Sequence, residues 1–339
     1  MKGPMSGDVS GSRSRRALTA VAVAAPLVLA GCGNGENVLH PASRAEHRIS
    51  VLWWVMMTGA WIGFAVVGFL LLLGWWRRNR PGLPLRGGET AATALVVGLG
   101  VALPMVLLTL LFVWADIFVI RSTDAPAVSS TSLTVRVIAH QWWWEVRYPG
   151  TAAVTANEIH IPVDTRVDVV GTTEDVIHSL WVPELNRKID LIPGRTNRML
   201  WDADRVGTYI GNCAEFCGFQ HAHMVVRVIA QPQAQFRAWL ANMAKPATAT
   251  NSGEQVFVSH ACSGCHQIRG TSARGLVGPD LTHLMSRATL AAGTLPNTRD
   301  SLANWILDPQ RYKPGNRMPA LDLTGPDFDA LLAYLTSLK

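Results

Sequence analysis

Residues 213–224 read Cys213-Ala214-Glu215-Phe216-Cys217-Gly218-Phe219-Gln220-His221-Ala222-His223-Met224. Thiols at 213 and 217, an imidazole at 221 and a thioether at 224 crowd four soft or borderline donors into twelve residues. Thiolate, thioether and imidazole together suit copper and disfavour magnesium or calcium. Zinc is the first rival, since two cysteines and two histidines bind it tetrahedrally. Zinc would leave Met224 unused and has no need of the Cys-x3-Cys loop. A second histidine must come from elsewhere, and His178, in the stretch Val176-Ile-His-Ser-Leu-Trp-Val-Pro-Glu-Leu185, is the candidate.

The residues around this loop predict an all-β domain. Leu133–Ile138, Glu158–Ile161 and Arg166–Val170 are rich in branched residues and broken by Pro, Gly and Asp, the pattern of short strands in a sandwich or barrel. Gln233–Met243 predicts a short closing helix, and Lys245–Ser252 (KPATATNS) a linker.

Toward the N-terminus the chain turns apolar. Hydrophobic residues make up 49% of the 339 and charged ones 16%, below the ~25% of soluble chains, which points to membrane spans. Ile49–Trp76 carries no charge and is bracketed by Trp53, Trp54, Trp75 and Trp76, as interfacial belts require. Ala91–Ala115 is also uncharged. Each exceeds the ~20 residues that cross a bilayer as a helix, and Pro104 is expected to kink the second. Arg77, Arg78, Arg80 and Arg86 between them mark the cytoplasmic side. Everything after residue 121 is then expected outside. Residues 1–31 read as a secretory signal, with Arg13, Arg15 and Arg16 ahead of the apolar run Ala17–Ala30. Leu29-Ala30-Gly31-Cys32 is similar to the bacterial lipobox, which implies lipidation of Cys32. A net charge of +6 raises nucleic acid as a partner. No basic stripe with interleaved aromatics accompanies it, so none is expected.

The C-terminal part carries a second chemistry. Cys262-Ser-Gly-Cys265-His266 is the c-type haem attachment pattern: two thiols for two thioethers and the adjacent imidazole for the iron. Helical patterns at Glu254–His260, Asp300–Leu307 and Asp327–Leu338 surround it. Gly278-Pro279-Asp280-Leu281 and Asn316-Arg317-Met318-Pro319-Ala320 resemble loops of class I cytochromes c, which implies Met318 as sixth ligand ahead of Met285 or His283. A thioether raises the potential relative to a second imidazole. The five cysteines each fall in a local motif, so a disulfide framework is not expected.

His178-Ser-Leu-Trp-Val-Pro, the 213–224 loop, the two-helix hairpin and Gln141-Trp142-Trp143-Trp144 together resemble subunit II of cytochrome c oxidase over roughly residues 45–240, followed by a fused class I cytochrome c at 253–339, the caa3-type arrangement. The resemblance implies a cupredoxin-like Greek-key β-barrel with a dinuclear copper A centre, and then an all-α cytochrome c domain. Its copper ligands would be His178, Cys213, the Glu215 carbonyl, Cys217, His221 and Met224, with the Glu215 side chain at a magnesium shared with subunit I. His223 is off the family spacing and reads as a neighbour. Trp142 matches the family's tryptophan where an electron enters. Glu174 and Asp175 resemble its acidic docking surface, or read as a solvated loop pair. Glu89 resembles a glutamate at a proton channel, or simply suits a first helical turn.

The expected organisation is therefore a signal at 1–31, a two-helix segment at 32–125, a copper domain at 126–244, a linker at 245–252 and a haem domain at 253–339. The expected function is electron transfer from reduced cytochrome c or another membrane donor, through haem c and copper A, to subunit I. Oxygen reduction and proton pumping would occur there, with subunit III alongside. A nitric oxide reductase fed through a similar copper subunit is the alternative. A copper chaperone is disfavoured because every cysteine has a fixed role. Nitrous oxide reductase carries a similar loop with Trp at the Glu215 position, and it lacks the membrane hairpin.

Overall fold

A computed structural model of the protein describes residues 36–78, 88–127, 130–248 and 252–339. Cys32, Arg80 and Arg86 lie outside the described residues.

Helix α1 spans Arg44–Arg77 and α2 spans Glu89–Thr123. Ser43 caps α1, its hydroxyl accepting from the Glu46 N–H at 3.0 Å. Between residues 49 and 76 and between 91 and 115 the two helices are apolar on every face and leave Trp61, Phe64, Phe69, Leu108 and Phe112 uncovered. A helix hydrophobic all round belongs in a lipid environment unless protein covers it. Inside α2 the turn Gly98–Ala102 is π-helical and immediately precedes Leu103 and Pro104. Proline has no N–H and crowds the carbonyl four residues back, so the helix widens rather than breaks. A second π turn at Asp116–Ile120 carries no such sequence mark.

The next domain is a sandwich of two five-stranded sheets. The first holds β1 (Leu133–His140), β2 (Trp143–Arg147), β3 (Val154–Ala156), β5 (Val167–Thr173) and β8 (Asn197–Trp201) in the order β3-β2-β1-β5-β8. The second holds β4 (Glu158–Pro162), β6 (His178–Trp181), β7 (Ile189–Leu191), β9 (Gly207–Cys213) and β10 (Val225–Gln231) in the order β4-β10-β9-β6-β7. Along β1, Val135 and Val137 are buried while Arg136 is exposed, the alternation that commits one face to the core. Trp144, Ile159, Met199, Trp201 and Val226 fill the space between the sheets. Two pairings are parallel, β1 with β5 and β4 with β10. Their crossovers give this cupredoxin-like fold its connectivity. Helix α3 (Gln233–Met243) closes the domain through Phe236 and Met243.

The C-terminal domain is helical: α4 (Ser252–Ser259), α5 (Cys262–Cys265), α6 (Arg299–Leu307), α7 (Pro309–Tyr312) and α8 (Gly325–Ser337), with a short hairpin β11–β12 (Thr289–Leu290, Leu295–Pro296). Phe257, Ile268, Leu302, Ile306, Leu331 and Tyr334 form its core. Helices α4 and α8 cross at Gly253, where a Cβ would stand 2.1 Å from the Ala330 carbonyl oxygen. Glycine is required there by close backbone approach, not by its torsion angles.

Candidate metal centre

Sheet register assembles the first site. β6 and β9 pair with Leu180 opposite Cys213, and side chains two apart on a strand share a face. His178 therefore stands beside the cysteine, with Nδ1 3.7 Å from Cys213 Sγ. The two sulfurs of Cys213 and Cys217 are 3.8 Å apart. His221 Nδ1 is 3.7 Å from Cys217 Sγ, and Met224 Sδ is 4.0 Å from it. The Glu215 carbonyl oxygen lies 3.2 Å from Cys213 Sγ, while its carboxylate turns outward beside Lys188 at 3.7 Å. His178, Cys213, Cys217 and Met224 are all buried. His223 is exposed and bonds Gln220 through Nδ1 at 2.7 Å, away from the cluster.

A ring of hydrogen bonds holds these donors. Asp175 accepts from His178 Nε2 at 2.9 Å. A carboxylate only accepts, so the proton sits on Nε2 and the Nδ1 lone pair faces the sulfurs. Asp175 also accepts from the Gln141 N–H at 2.6 Å. Gln141 Nε2 and Trp142 Nε1 both donate to the Cys217 carbonyl, at 2.7 and 3.0 Å. Trp144 Nε1 donates to the Met224 carbonyl at 3.3 Å. Asp175 is thus an internal support of His178 rather than a member of an acidic docking pair; Glu174 alone is exposed. The supporting roles of Gln141, Trp144 and Asp175 were missed in the sequence, where the Gln-Trp-Trp-Trp run was the one available sign.

The electrostatics follow. Burial alone would push the His178 imidazole down, but its bonds to Asp175 and Cys213 outweigh burial and raise it. Burial would raise Asp175, yet the bonds from His178, Gln141 and Val176 hold it at about 2. Hydrogen bonding from Cys217 lowers the Cys213 thiol against its burial, and Cys217 is raised in turn. One thiolate forms easily, and a metal ion would displace the second proton. Two sulfurs, two imidazoles, a thioether and a carbonyl fit a soft or borderline metal such as copper.

The second site is a cavity of about 380 Å³ whose lining includes Cys262, Cys265, His266 and Met318 among apolar residues such as Leu281 and Leu302. His266 Nδ1 lies 2.8 Å from the Pro279 carbonyl oxygen. That acceptor fixes the proton on Nδ1 and frees Nε2. Burial pushes this imidazole down, toward the neutral form a ligand needs. A Cβ on Gly278 would come within 2.5 Å of His266 Cε1, so the ring's seat depends on that glycine. Of Met318, Met285 and His283, Met318 alone lines the cavity. His283 spends both ring nitrogens on the Lys339 and Lys245 carbonyls, at 2.7 and 3.1 Å. Two thiols, a freed imidazole, a thioether and apolar walls fit a c-type haem. Trp142 and its neighbours His140, Gln141 and Trp143 also line this cavity. Trp142 is 8% exposed, so it faces the haem domain rather than solvent.

A membrane-anchored electron-transfer protein is the class that this fold and these donor sets define. The profile of the cytochrome c oxidase subunit II periplasmic domain matches residues 151–231, and that of cytochrome c matches residues 251–339. Cytochrome c oxidase subunit 2 of Alkalihalophilus pseudofirmus is 37% identical over 335 residues, covering 92% of this chain and 94% of the relative. The Bacillus subtilis protein of that name is 27% identical over 340 residues, covering 93% and 95%. The crystal structure of the periplasmic domain of subunit II of cytochrome oxidase from Bradyrhizobium japonicum is 29% identical, with TM-score 0.33, covering 35% of this chain and 96% of that one. The chain belongs to the cytochrome c oxidase subunit 2 family, with a cytochrome c domain at its C-terminus.

Proposed function

We propose that this chain is the electron-receiving subunit of a terminal haem–copper oxidase of the caa3 type. A dinuclear copper A centre would be held by His178, Cys213, the Glu215 carbonyl, Cys217, His221 and Met224. A haem would be attached at Cys262 and Cys265, with His266 and Met318 on its iron. The observation that carries the reading is the convergence of His178 onto Cys213, 35 residues later in the chain and 3.7 Å away, with the Cys217 sulfur in the same cluster.

The chain's own residues would position rather than react. Asp175 keeps the His178 proton on Nε2, and the Pro279 carbonyl keeps the His266 proton on Nδ1. Trp144, Gln141 and Trp142 fix the carbonyls of the metal loop. Donors held this firmly change little between oxidation states, which favours rapid one-electron exchange. The haem that Cys262, Cys265, His266 and Met318 would hold, and the copper pair that the six donors above would hold, would each supply a one-electron couple on the way to subunit I. Oxygen reduction and proton pumping belong to that partner, with subunit III beside it. Tethering the haem to the copper domain replaces a diffusing encounter with one at high effective concentration. The donor to the haem would be reduced cytochrome c or a membrane protein.

The same reading puts the copper domain (126–244) and haem domain (253–339), joined by the 245–252 linker, on the outer face of a bacterial membrane. Residues 1–31 would be removed, residues 32–125 would carry the two spans, and Cys32 would be lipidated. The outward Glu215 carboxylate is available to a magnesium at the subunit I interface. Optical and electron paramagnetic resonance spectra of the purified membrane complex test the assignment. The expected result is a low-spin c-type haem plus a mixed-valence copper signal with several hyperfine lines. A Cys217→Ser variant that retained that copper signal would overturn it.

A further inference from the structure

Lys313 lies in the haem domain just after α7, five residues before Met318, and is 3% exposed. Its Nζ donates to three backbone carbonyls: Trp142 at 3.0 Å, His223 at 2.8 Å and Ala291 at 3.2 Å. Trp142 belongs to the turn between β1 and β2, and His223 to the metal loop, one residue before Met224. An ammonium has three N–H donors and no acceptor, so these carbonyls satisfy it completely. Burying a cation is costly unless its hydrogen bonds are met. Here two of the three acceptors come from the other domain. The lysine is satisfied only while the domains are docked.

Neighbouring contacts point the same way. Gln220 Nε2 donates to the Pro314 carbonyl at 2.7 Å. Arg317 donates to Gln141 Oε1 at 2.8 Å and stands 3.8 Å from Asp175. The Val225 N–H donates to the Ala292 carbonyl at 3.1 Å, and the Ala288 N–H to Glu158 at 2.6 Å. The run Lys313-Pro314-Gly315-Asn316-Arg317 is thus seated on the metal loop and its supports, and leads straight into Met318. Trp142, under this seat, lines the haem cavity and donates to the Cys217 carbonyl at 3.0 Å.

We infer that Lys313 is a positioning residue for electron transfer between the two domains: its ammonium locks the Met318 loop onto Trp142 and the metal loop. The haem cavity then opens onto the Trp142 indole, one hydrogen bond from Cys217. Arg317 and Gln220 reinforce the lock at its rim. In the transfer one electron leaves the ferrous haem iron and one enters the oxidised copper pair, with no bond or proton exchanged. Tunnelling falls steeply with distance, so a lock on the gap controls the rate without touching either centre. The docked domain also covers Trp142, so an outside donor reduces the copper only by way of the haem.

This inference rests on the haem and copper reading, and the experiment separates the two. The assembled complex carries Lys313→Met, which keeps the side chain's length and removes its donors. Arg317→Gln, at a half-exposed position, is the second variant. Wild-type spectra lacking either centre would sink the functional reading itself. With both centres present and unaltered, Lys313→Met is expected to slow haem-to-copper transfer after photoreduction by up to ~100-fold, the scale of a misplacement of about 1 Å at a preorganised site. Amide exchange at 219–223 and 314–318 should rise, and a small one-electron reductant should begin to reduce the copper directly. Arg317→Gln should move all three readouts the same way by less. If Lys313→Met does not accumulate, Lys313→Gln, which retains two donors, is judged by the same readouts. Unchanged transfer rate and unchanged exchange in a loaded Lys313 variant overturn the inference. So does lowered thermal stability with the transfer rate intact.

Discussion

Asp175 accepts the Nε2 proton of His178 at 2.9 Å, which leaves Nδ1 of that ring aimed at Cys213. The carboxylate therefore sets the tautomer of a residue that the fold delivers to the metal loop from a different strand. A partner of this kind stiffens and electronically strengthens a ligand without touching the metal.

Removing that partner should weaken metal binding before it weakens the fold. Asp175→Ala leaves the imidazole free to rotate and to place its proton on either nitrogen. Copper affinity is expected to fall by roughly ten- to a hundred-fold. Titration of the copper-loaded protein with a competing chelator measures this, with far-ultraviolet circular dichroism unchanged.

How much of this was legible in the sequence depends on how local each feature is. The metal loop could be read because four donors stand between residues 213 and 224, and the haem motif because its three residues nearly touch in sequence. His178 could be named as the missing histidine but not placed, since only the pairing of Leu180 with Cys213 brings it near. Asp175 looked like a surface acid because its burial comes from Gln141 and Arg317, 34 residues before it and far beyond it in the chain. Nothing in the sequence around Lys313 marks it out beyond the Pro-Gly that follows. Its partners at 142 and 223 belong to a domain whose docking no local pattern announces. The three strands read from the sequence and the closing helices lie where alternation and periodicity put them, whereas the other strands of the sandwich are not marked and the π turn at Asp116–Ile120 has no proline beside it.

Trp144→Phe should separate the indole's packing from its hydrogen bond. The ring stays in a fully buried position, but the Met224 carbonyl loses the donor at 3.3 Å. The Cys213 N–H still donates to that carbonyl at 3.1 Å, so the cost is that of one neutral hydrogen bond, about 0.5–1.5 kcal/mol. Chemical denaturation should show that loss as a lower midpoint with an unchanged slope. A changed slope would mean that the variant altered more than this bond.

Acid stability should carry a contribution from Glu145. Burial pushes its carboxyl up, but the hydrogen bonds with His140 and Arg147 win, and it is lowered from 4.5. A carboxyl lowered in the folded state binds fewer protons there than in the unfolded chain, so stability rises with pH across the gap. The contribution is complete above the unfolded value and drains away as pH falls through the folded one. Thermal unfolding midpoints recorded from neutral pH downward should therefore fall less steeply below pH 4.5 for Glu145→Gln than for the parent. At neutral pH the variant should already be the less stable of the two. Parallel curves would remove Glu145 from the account.

Gly278→Ala tests whether the seat of His266 is set by backbone rather than by the bond to iron. The added Cβ would stand 2.5 Å from Cε1, 2.8 Å from Nδ1 and 3.0 Å from Nε2 of the ring, all closer than atoms pack. The imidazole must swing away, and its Nδ1 bond to the Pro279 carbonyl at 2.8 Å goes with it. Cys262 and Cys265 lie on the helix before the ring and are not displaced by the methyl group. Covalent attachment should thus survive while ligation fails: denatured, pyridine-treated protein should show a full complement of haem. The native visible spectrum should shift from low to high spin. If haem were lost along with ligation, attachment itself would depend on the His266 seat. A native low-spin spectrum would show instead that the iron bond, not Gly278, holds the ring.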